Sequence, residues 1–189
     1  YETHDPYTFG SSLSQDELYL FGEGRLLQAY KTLGAQWKVQ ENVSGVRFAV
    51  WAPNAERVSV TGSFNNWDGR VHSMRAHGSS GVWDIFIPGL SSNDSYKFEL
   101  RNRHSGAVLV KTDPYGFEFE ARPGTAAKIS LNQHQWQDAA WLAARKKNDW
   151  LHAPFNCYEV HLGSWQRNAQ GQFLSYRELA ATLVPYVAE

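Results

Sequence analysis

The clearest pattern in the chain is an alternation of apolar and polar positions between residue 37 and about residue 131. Short alternating runs are separated by turn-forming Gly, Pro, Asn, Asp and Ser residues. The apolar positions of these runs are Val46, Phe48, Val50, Val58, Val60, Trp83, Ile85, Ile87, Tyr96, Phe98, Leu100, Val108, Val110, Ile129 and Leu131. Many short strands, each with one apolar face, predict an immunoglobulin-like antiparallel β-sandwich over residues 37–131, so we expect a mostly β fold.

The segments on either side of this region have helical patterns. Ser14 and Glu17 have the spacing of a capping box and predict a helix within residues 1–36, which we interpret as an amino-terminal connector. Residues 132–153 are predicted to be a linker that contains a short Ala-rich helix ending in basic residues.

Residues 154–189 begin a different pattern. An apolar run over residues 156–162 predicts a strand, and a second capping box at Ser175 and Glu178 predicts an amphipathic helix. The helix contains Pro185, which should kink it. A strand followed by a helix opens an α/β unit, and the pattern alone leaves a barrel and an open sheet as alternatives. Because the chain starts with Tyr and its last helix has no cap signal, we expect a fragment of a longer protein.

Composition excludes several classes of function. The chain has 189 residues and a net charge of −1, so no basic field favours nucleic acid, and no apolar run approaches the roughly 20 residues that span a bilayer. The single cysteine, Cys157, is expected to be buried and unreactive and fits a cytoplasmic location. The histidines lack metal-ligand spacing, so we predict no metal site.

Several motifs in the sandwich region resemble those of a known carbohydrate-binding module. They are RFAVWAPNA at 47–55, VSV at 58–60, GSFNNWD at 62–68, YKF at 96–98 and KTDPY at 111–115. The module is shared by branching enzymes, debranching enzymes and the glycogen-binding subunit of AMP-activated kinase. Four further segments resemble bacterial glycogen branching enzymes of the α-amylase superfamily: DPYTFG at 5–10, FGEG at 21–24, YEVHLGSW at 158–165, and 175–186.

This resemblance implies that residues 154–189 are the first strand and helix of a truncated (β/α)8 barrel. In such enzymes a retaining mechanism with paired carboxylates cleaves α-1,4-glucan chains and transfers them to C6 hydroxyls, which makes the α-1,6 branches of glycogen. The catalytic carboxylates lie on later strands, so no catalytic residue is assigned to this chain and the chain itself is expected to be inactive. The chemistry needs no cofactor. The implied partners are the glucan and the remainder of the barrel, and the parent protein is compatible with a monomer.

Two residues match glucan-binding positions of the kinase-subunit module. Trp67 lies in a turn-rich segment where a sugar ring can stack on it, and Lys97 lies on the polar face of a strand. The kinase-subunit module has a second Trp shortly after its Tyr-Lys-Phe motif, whereas this chain has Arg, Asn, Arg and His at 101–104. The alternative for Trp67 is packing against the barrel. For the whole chain, the alternatives are a stand-alone glucan-binding module and the front end of a glycogen-debranching or trehalose-releasing hydrolase.

Overall fold

The computed structural model describes residues 4–131 and 134–188 and divides the chain into two compact units, residues 1–133 and 134–189. The first unit contains α1 (Gln15–Gly22), β1 (Gly34–Gln40), β2 (Val43–Trp51), β3 (Ala55–Gly62), β4 (Arg75–Ala76), β5 (Val82–Pro88), β6 (Ser95–Asn102), β7 (Val108–Lys111), β8 (Glu118–Phe119) and β9 (Ala127–Lys128). The second unit contains α2 (Ala139–Lys147), α3 (Leu162–Trp165) and α4 (Tyr176–Ala188).

The strands of the first unit form two antiparallel sheets, which confirms the predicted mostly β architecture. Sheet one has the order β1-β2-β5-β4, and sheet two has the order β3-β6-β9-β8 with β7 also paired to β6. Apolar side chains from both sheets form one buried cluster between them: Val46, Phe48, Val50, Val58, Val60, Ile85, Ile87, Tyr96, Phe98, Ala127 and Ile129. The two sheets therefore face each other as a sandwich.

The outer face of sheet one is also buried, which alternation did not predict. Arg47 and Ala49 alternate with the inward-facing Val46, Phe48 and Val50 and so lie on the opposite face of the strand, yet both are buried. The reason is that the segment 4–33 covers this face, and Leu18 and Leu33 pack with Ala49 in a second apolar cluster. The predicted capping box starts α1, because Ser14 Oγ accepts from the Glu17 amide at 3.1 Å and Glu17 Oε2 accepts from the Ser14 amide at 2.9 Å.

The prediction for β7 was correct in secondary structure and wrong in burial. Val108 and Val110 form a strand paired with β6, but both side chains are exposed, as is Leu109 between them. Leu131, expected in a closing strand, is likewise exposed and follows β9. Alternation correctly predicted a strand at residues 108–110 but not at Leu131, which lies outside β9, and no element among the described residues covers these side chains.

The second unit contradicts one prediction and confirms another. The strand expected at 156–162 is absent: residues 154–161 have no regular structure, and α3 starts at Leu162. A strand of a parallel barrel needs a neighbour to satisfy its backbone, and this unit supplies none among its described residues. Cys157 is exposed rather than buried. The predicted helix is present as α4, and Ser175 Oγ accepts from the Glu178 amide at 3.3 Å.

Candidate functional site

Trp67 lies on a hydrogen-bonded loop that leaves the end of β3. Asn66 and Trp67 both adopt left-handed backbone conformations, with φ of 54° and 61°, and the Trp67 amide donates to Gly62 O at 3.0 Å. The buried Asn65 fixes the base of this loop, since its Oδ1 accepts from the Gly62 amide at 2.8 Å and its Nδ2 donates to Val60 O at 3.0 Å. Two consecutive left-handed residues turn the chain outward, and the Trp67 side chain is 44% exposed.

Gly62 allows this loop to pass close to β6. A Cβ at this position would collide with Ser95 O and with the Phe64 ring, so no larger residue fits without a shift. The close approach seats the loop over the strand that carries Lys97. The sequence therefore encodes the loop through a glycine at its start and through Asn66, a residue type that tolerates a left-handed conformation.

Lys97 lies on the outer face of sheet two. Its neighbours Tyr96 and Phe98 point into the core, and Lys97 Nζ donates to Thr125 Oγ1 at 2.6 Å. Thr61 of β3 is its cross-strand partner. The amine is therefore positioned by a hydroxyl group, and it remains free to donate further hydrogen bonds because an ammonium group has three protons.

Acidic and hydroxyl groups surround this amine. The pKa of Glu120 is held below its usual value, mainly by a hydrogen bond from the Ala126 amide and to a lesser extent by the Lys97 charge. Glu99 lies two residues along the same face of β6 and forms an ion pair with Arg57, Nη2 to Oε1 2.5 Å. Gly69, two residues beyond Trp67, lies directly against the Glu99 carboxylate. The loop with Trp67 and the strand with Lys97 thus share the outer face of sheet two.

The position of the missing second Trp is occupied by a charged turn. Arg101 forms an ion pair with Glu56, Nε to Oε1 2.6 Å, and Arg103 donates to Ala55 O at 3.4 Å. No Trp, Tyr or Phe occurs at residues 101–104, so the second stacking Trp has no large aromatic replacement there and Trp67 is the candidate stacking residue. The candidate site therefore combines one aromatic ring with amine, carboxylate and hydroxyl groups, a set that suits a polyhydroxylated ligand with alternating apolar and polar faces.

The sequence missed Thr125 and Glu120 as neighbours of this site. They lie in an irregular segment next to Pro123 and Gly124, where no periodicity predicts which way a side chain faces. They reach Lys97 only because β9 pairs with the start of β6. The Pro and Gly residues there indicate a turn, but the sequence does not indicate which strand pairs with the short strand that follows.

Metal-binding clusters and membrane-spanning helices are absent from the part of the chain that the structure describes. Within residues 4–131 and 134–188, no group of three His, Cys, Asp or Glu side chains comes together that could hold a metal ion. No helix in these ranges is both long enough and apolar enough to cross a membrane.

Part of the sandwich is similar to a known protein family. Residues 32–116 match the family model of carbohydrate-binding module 48, described as the isoamylase N-terminal domain. Both Trp67 and Lys97 lie within the matched range. The matched range covers most of the sandwich, so the sandwich is similar to this carbohydrate-binding family.

Relatives among curated proteins narrow the assignment further. The chain is 69% identical over its full length to the 1,4-alpha-glucan branching enzyme GlgB of Methylobacillus flagellatus and 58% identical to that of Nitrosospira multiformis, and it covers 26% of each enzyme. The chain is homologous to the amino-terminal part of bacterial 1,4-alpha-glucan branching enzymes and spans about a quarter of their length.

Part of the chain also resembles a solved pullulanase structure. The type I pullulanase of Bacillus subtilis, complexed with maltose, has 24% sequence identity and a TM-score of 0.44 over 55% of this chain and 14% of its own. At this TM-score the likeness adds nothing to the assignment.

Proposed function

We propose that the sandwich binds α-glucan through Trp67 and Lys97, as part of an enzyme that introduces α-1,6 branches into glycogen. The observation that carries this proposal is the placement of Trp67. Its side chain is 44% exposed on a loop fixed by backbone bonds, and it shares a face with a lysine within a carbohydrate-binding module. A rigid exposed aromatic binds with little loss of conformational entropy, which favours a binding role over a packing role.

The parent enzyme would cleave an α-1,4-glucan chain and transfer it to a C6 hydroxyl. Carboxylate chemistry of the retaining type accomplishes this through a covalent glycosyl-enzyme. We place those carboxylates outside this chain and take residues 154–189 as the opening of the (β/α)8 barrel. The chain itself should therefore bind glucan without branching it. The cytoplasm is the proposed compartment, since both glycogen and a reducing environment are found there.

A stand-alone binding module is the alternative. The relatives favour the branching enzyme, because the 69% identity extends across all of the chain and beyond residues 32–116. A stand-alone module would have no reason to keep the second unit similar to those enzymes.

The proposal is tested by electrophoresis of the whole chain in gels that contain glycogen. The unsubstituted chain should be retarded, and Trp67→Ala should lose most of that retardation because the stacking ring is gone. Trp136→Ala is the matched control: Trp136 is 77% exposed and lies in the second unit. Lys97→Ala should weaken retardation partly, while Lys38→Ala, at an exposed lysine of β1, should leave it unchanged.

The results distinguish a sandwich that binds glucan from one that only supports the rest of the enzyme. Retardation that is equal in Trp67→Ala and Trp136→Ala would contradict a role for Trp67. Absence of retardation in the unsubstituted chain would mean that the sandwich supports the enzyme without binding glucan itself.

A further inference from the structure

A second groove lies on the other sheet of the sandwich. It runs between one face of α1 and residues 76–80, next to β4, and its volume is about 710 Å³. Gln15, Tyr19 and Glu23 recur every four residues along the helix side of this groove. The volume falls within the range of about 300–1,000 Å³ typical of small-molecule sites. The groove is open to solvent, so a chain can enter and leave along it.

On one wall of the groove, the side chain of His77 is held by the buried carboxyl group of Asp84. His77 lines the groove, and its Nε2 bonds to Asp84 Oδ1 at 2.8 Å. Asp84 is only 2% exposed, and its Oδ2 accepts from Ser11 Oγ at 2.7 Å. Because a carboxylate is an acceptor, Nε2 carries the proton, and in the neutral ring Nδ1 is then left as an acceptor for a hydroxyl group. The imidazole is thus held in one orientation before any ligand binds.

The remaining side chains select the kind of ligand. Tyr19 is 63% exposed and offers a ring face, while Gln15 and Ser79 supply neutral hydrogen-bonding groups. Glu23 adds a carboxylate, which accepts from adjacent hydroxyls. Among the described residues that line the groove, none is Lys or Arg. An anionic ligand would meet no positive charge here, whereas a neutral sugar would find a stacking surface and both donors and acceptors.

We propose that this groove is a second binding site for a short segment of neutral glucan chain, with Tyr19 as the stacking surface and His77 as an oriented hydrogen-bonding group. The choice of an α-glucan rests on the proposed function of the protein. The groove belongs to α1 and sheet one, whereas Trp67 lies over sheet two, so the two sites use no residue in common. Two sites on one sandwich would hold neighbouring chains of a branched polymer, which would increase the avidity of the protein for that polymer.

The test is an NMR titration of the whole 15N-labelled chain with maltoheptaose. Amide signals of Tyr19, Glu23 and Ser79 should shift with one dissociation constant, and signals around Trp67 with another. Tyr19→Ala should raise the dissociation constant of the groove about ten-fold and leave that of the Trp67 site unchanged. Tyr176→Ala, at a tyrosine of α4 that is 83% exposed, should change neither.

A second variant blocks the groove without removing a contact. Apart from its chain neighbours and the helix backbone, no atom lies within 4 Å of a Cβ added at Gly22, and the Gly22 backbone is not left-handed, so Gly22→Leu should fold and fill the space. It should abolish the groove shifts while the Trp67 shifts persist.

The two proposals fail in different ways. Groove shifts that survive in Trp67→Ala support the second site, even if the Trp67 signals never respond. Shifts confined to the Trp67 region overturn the second site and leave the proposed function intact. An absence of shifts in both regions overturns both. Groove shifts that Tyr19→Ala and Gly22→Leu leave unchanged would also overturn the second site.

Discussion

At the scale of single residues, Asp113 is a buried carboxyl that supports the strand carrying Lys97. It is 1% exposed, its Oδ2 accepts from the Tyr96 hydroxyl at 2.6 Å, and its Oδ1 accepts from the Tyr115 amide at 2.8 Å. Burial raises the pKa of Asp113, and these two hydrogen bonds oppose that effect only in part. Tyr96 therefore anchors β6 from the core side while Lys97 faces the opposite side.

Replacing Asp113 by Asn should change how stability depends on pH. A raised pKa means that the folded chain keeps a proton that the unfolded chain loses at about pH 3.9. Stability from this group is present below that pH and is lost as the pH rises through the folded-state pKa. Relative to Asp113→Asn, the unsubstituted chain should therefore become less stable across that window, on top of a constant offset from altered hydrogen bonds. Urea unfolding followed by NMR signals of the sandwich would measure this.

Tyr96→Phe is the companion variant. It removes the hydroxyl donor and should lower the free energy of unfolding by about 1–3 kcal/mol, with the larger loss at pH values where Asp113 is ionised.

A stability difference between Asp113→Asn and the unsubstituted chain that stays constant with pH would show that the carboxyl has an ordinary pKa.

At the scale of elements, Arg47 of β2 ties the segment 4–33 to the sandwich. Its Nη2 donates to Thr32 O at 2.8 Å and its Nη1 to Ser12 Oγ at 3.3 Å. Burial lowers the pKa of Arg47, and the nearby carboxylates of Glu17 and Asp84 counteract this. Alternation alone would place this arginine in water, and only the covering segment explains why its guanidinium group is buried and hydrogen-bonded.

Arg47→Met should release the segment while the sandwich stays folded. Methionine fills a similar volume, but the Thr32 carbonyl loses its donor, so local opening of α1 should become easier by about 1–3 kcal/mol. Hydrogen exchange would show faster exchange of α1 amides, with β2 and β5 little changed. Lys38→Met is the control, because Lys38 is exposed on β1. Equal protection of α1 in both variants would rule out this role for Arg47.

Elements that local chemistry encodes were predicted best. Both capping boxes start helices where the sequence placed them, at Ser14 and Ser175. The predicted strand at 156–162 was wrong because a strand depends on a partner, and apolar residues alone supply none. The burial expected for β7 was wrong for a related reason, since an apolar residue is buried only if another element covers it.

At the scale of the whole molecule, motifs located the candidate site but did not give its geometry. Trp67 and Lys97 are 30 positions apart, and strand pairing between β3 and β6 brings their neighbourhoods to one face. Thr125 and Glu120 reach the same face because β9 pairs with β6, and no local pattern predicts that pairing. The sequence did not predict the groove beside Tyr19 for the same reason, since the groove forms only when α1 covers sheet one. Whether Trp67 and Lys97 bind glucan stays a prediction for the experiments above.

The two units differ in how much apolar surface they bury. In α4, Leu179 is 5% exposed, whereas Val184 is 63% and Val187 is 51% exposed. An isolated helix of 13 residues is marginal in water, so α4 depends on the burial of Leu179 and on the edge contacts of Tyr186 with the rings of Tyr158 and Trp165. We expect hydrogen exchange in residues 179–187 to be far faster than in β2, whose residues Val46–Val50 lie in the doubly covered sheet.

Two substitutions within α4 provide the test. Leu179→Ala should speed exchange of the helix amides by roughly thirty-fold, because a cost of about 2 kcal/mol is the lower end for deleting a buried leucine side chain. Val187→Ala removes an exposed side chain and should have little effect. Protection of α4 equal to that of β2, or equal responses to the two substitutions, would mean that the helix is stabilised by contacts other than Leu179. The expected pattern would show instead that the sandwich is the stable part of this chain and that the exposed face of α4 adds nothing to its stability.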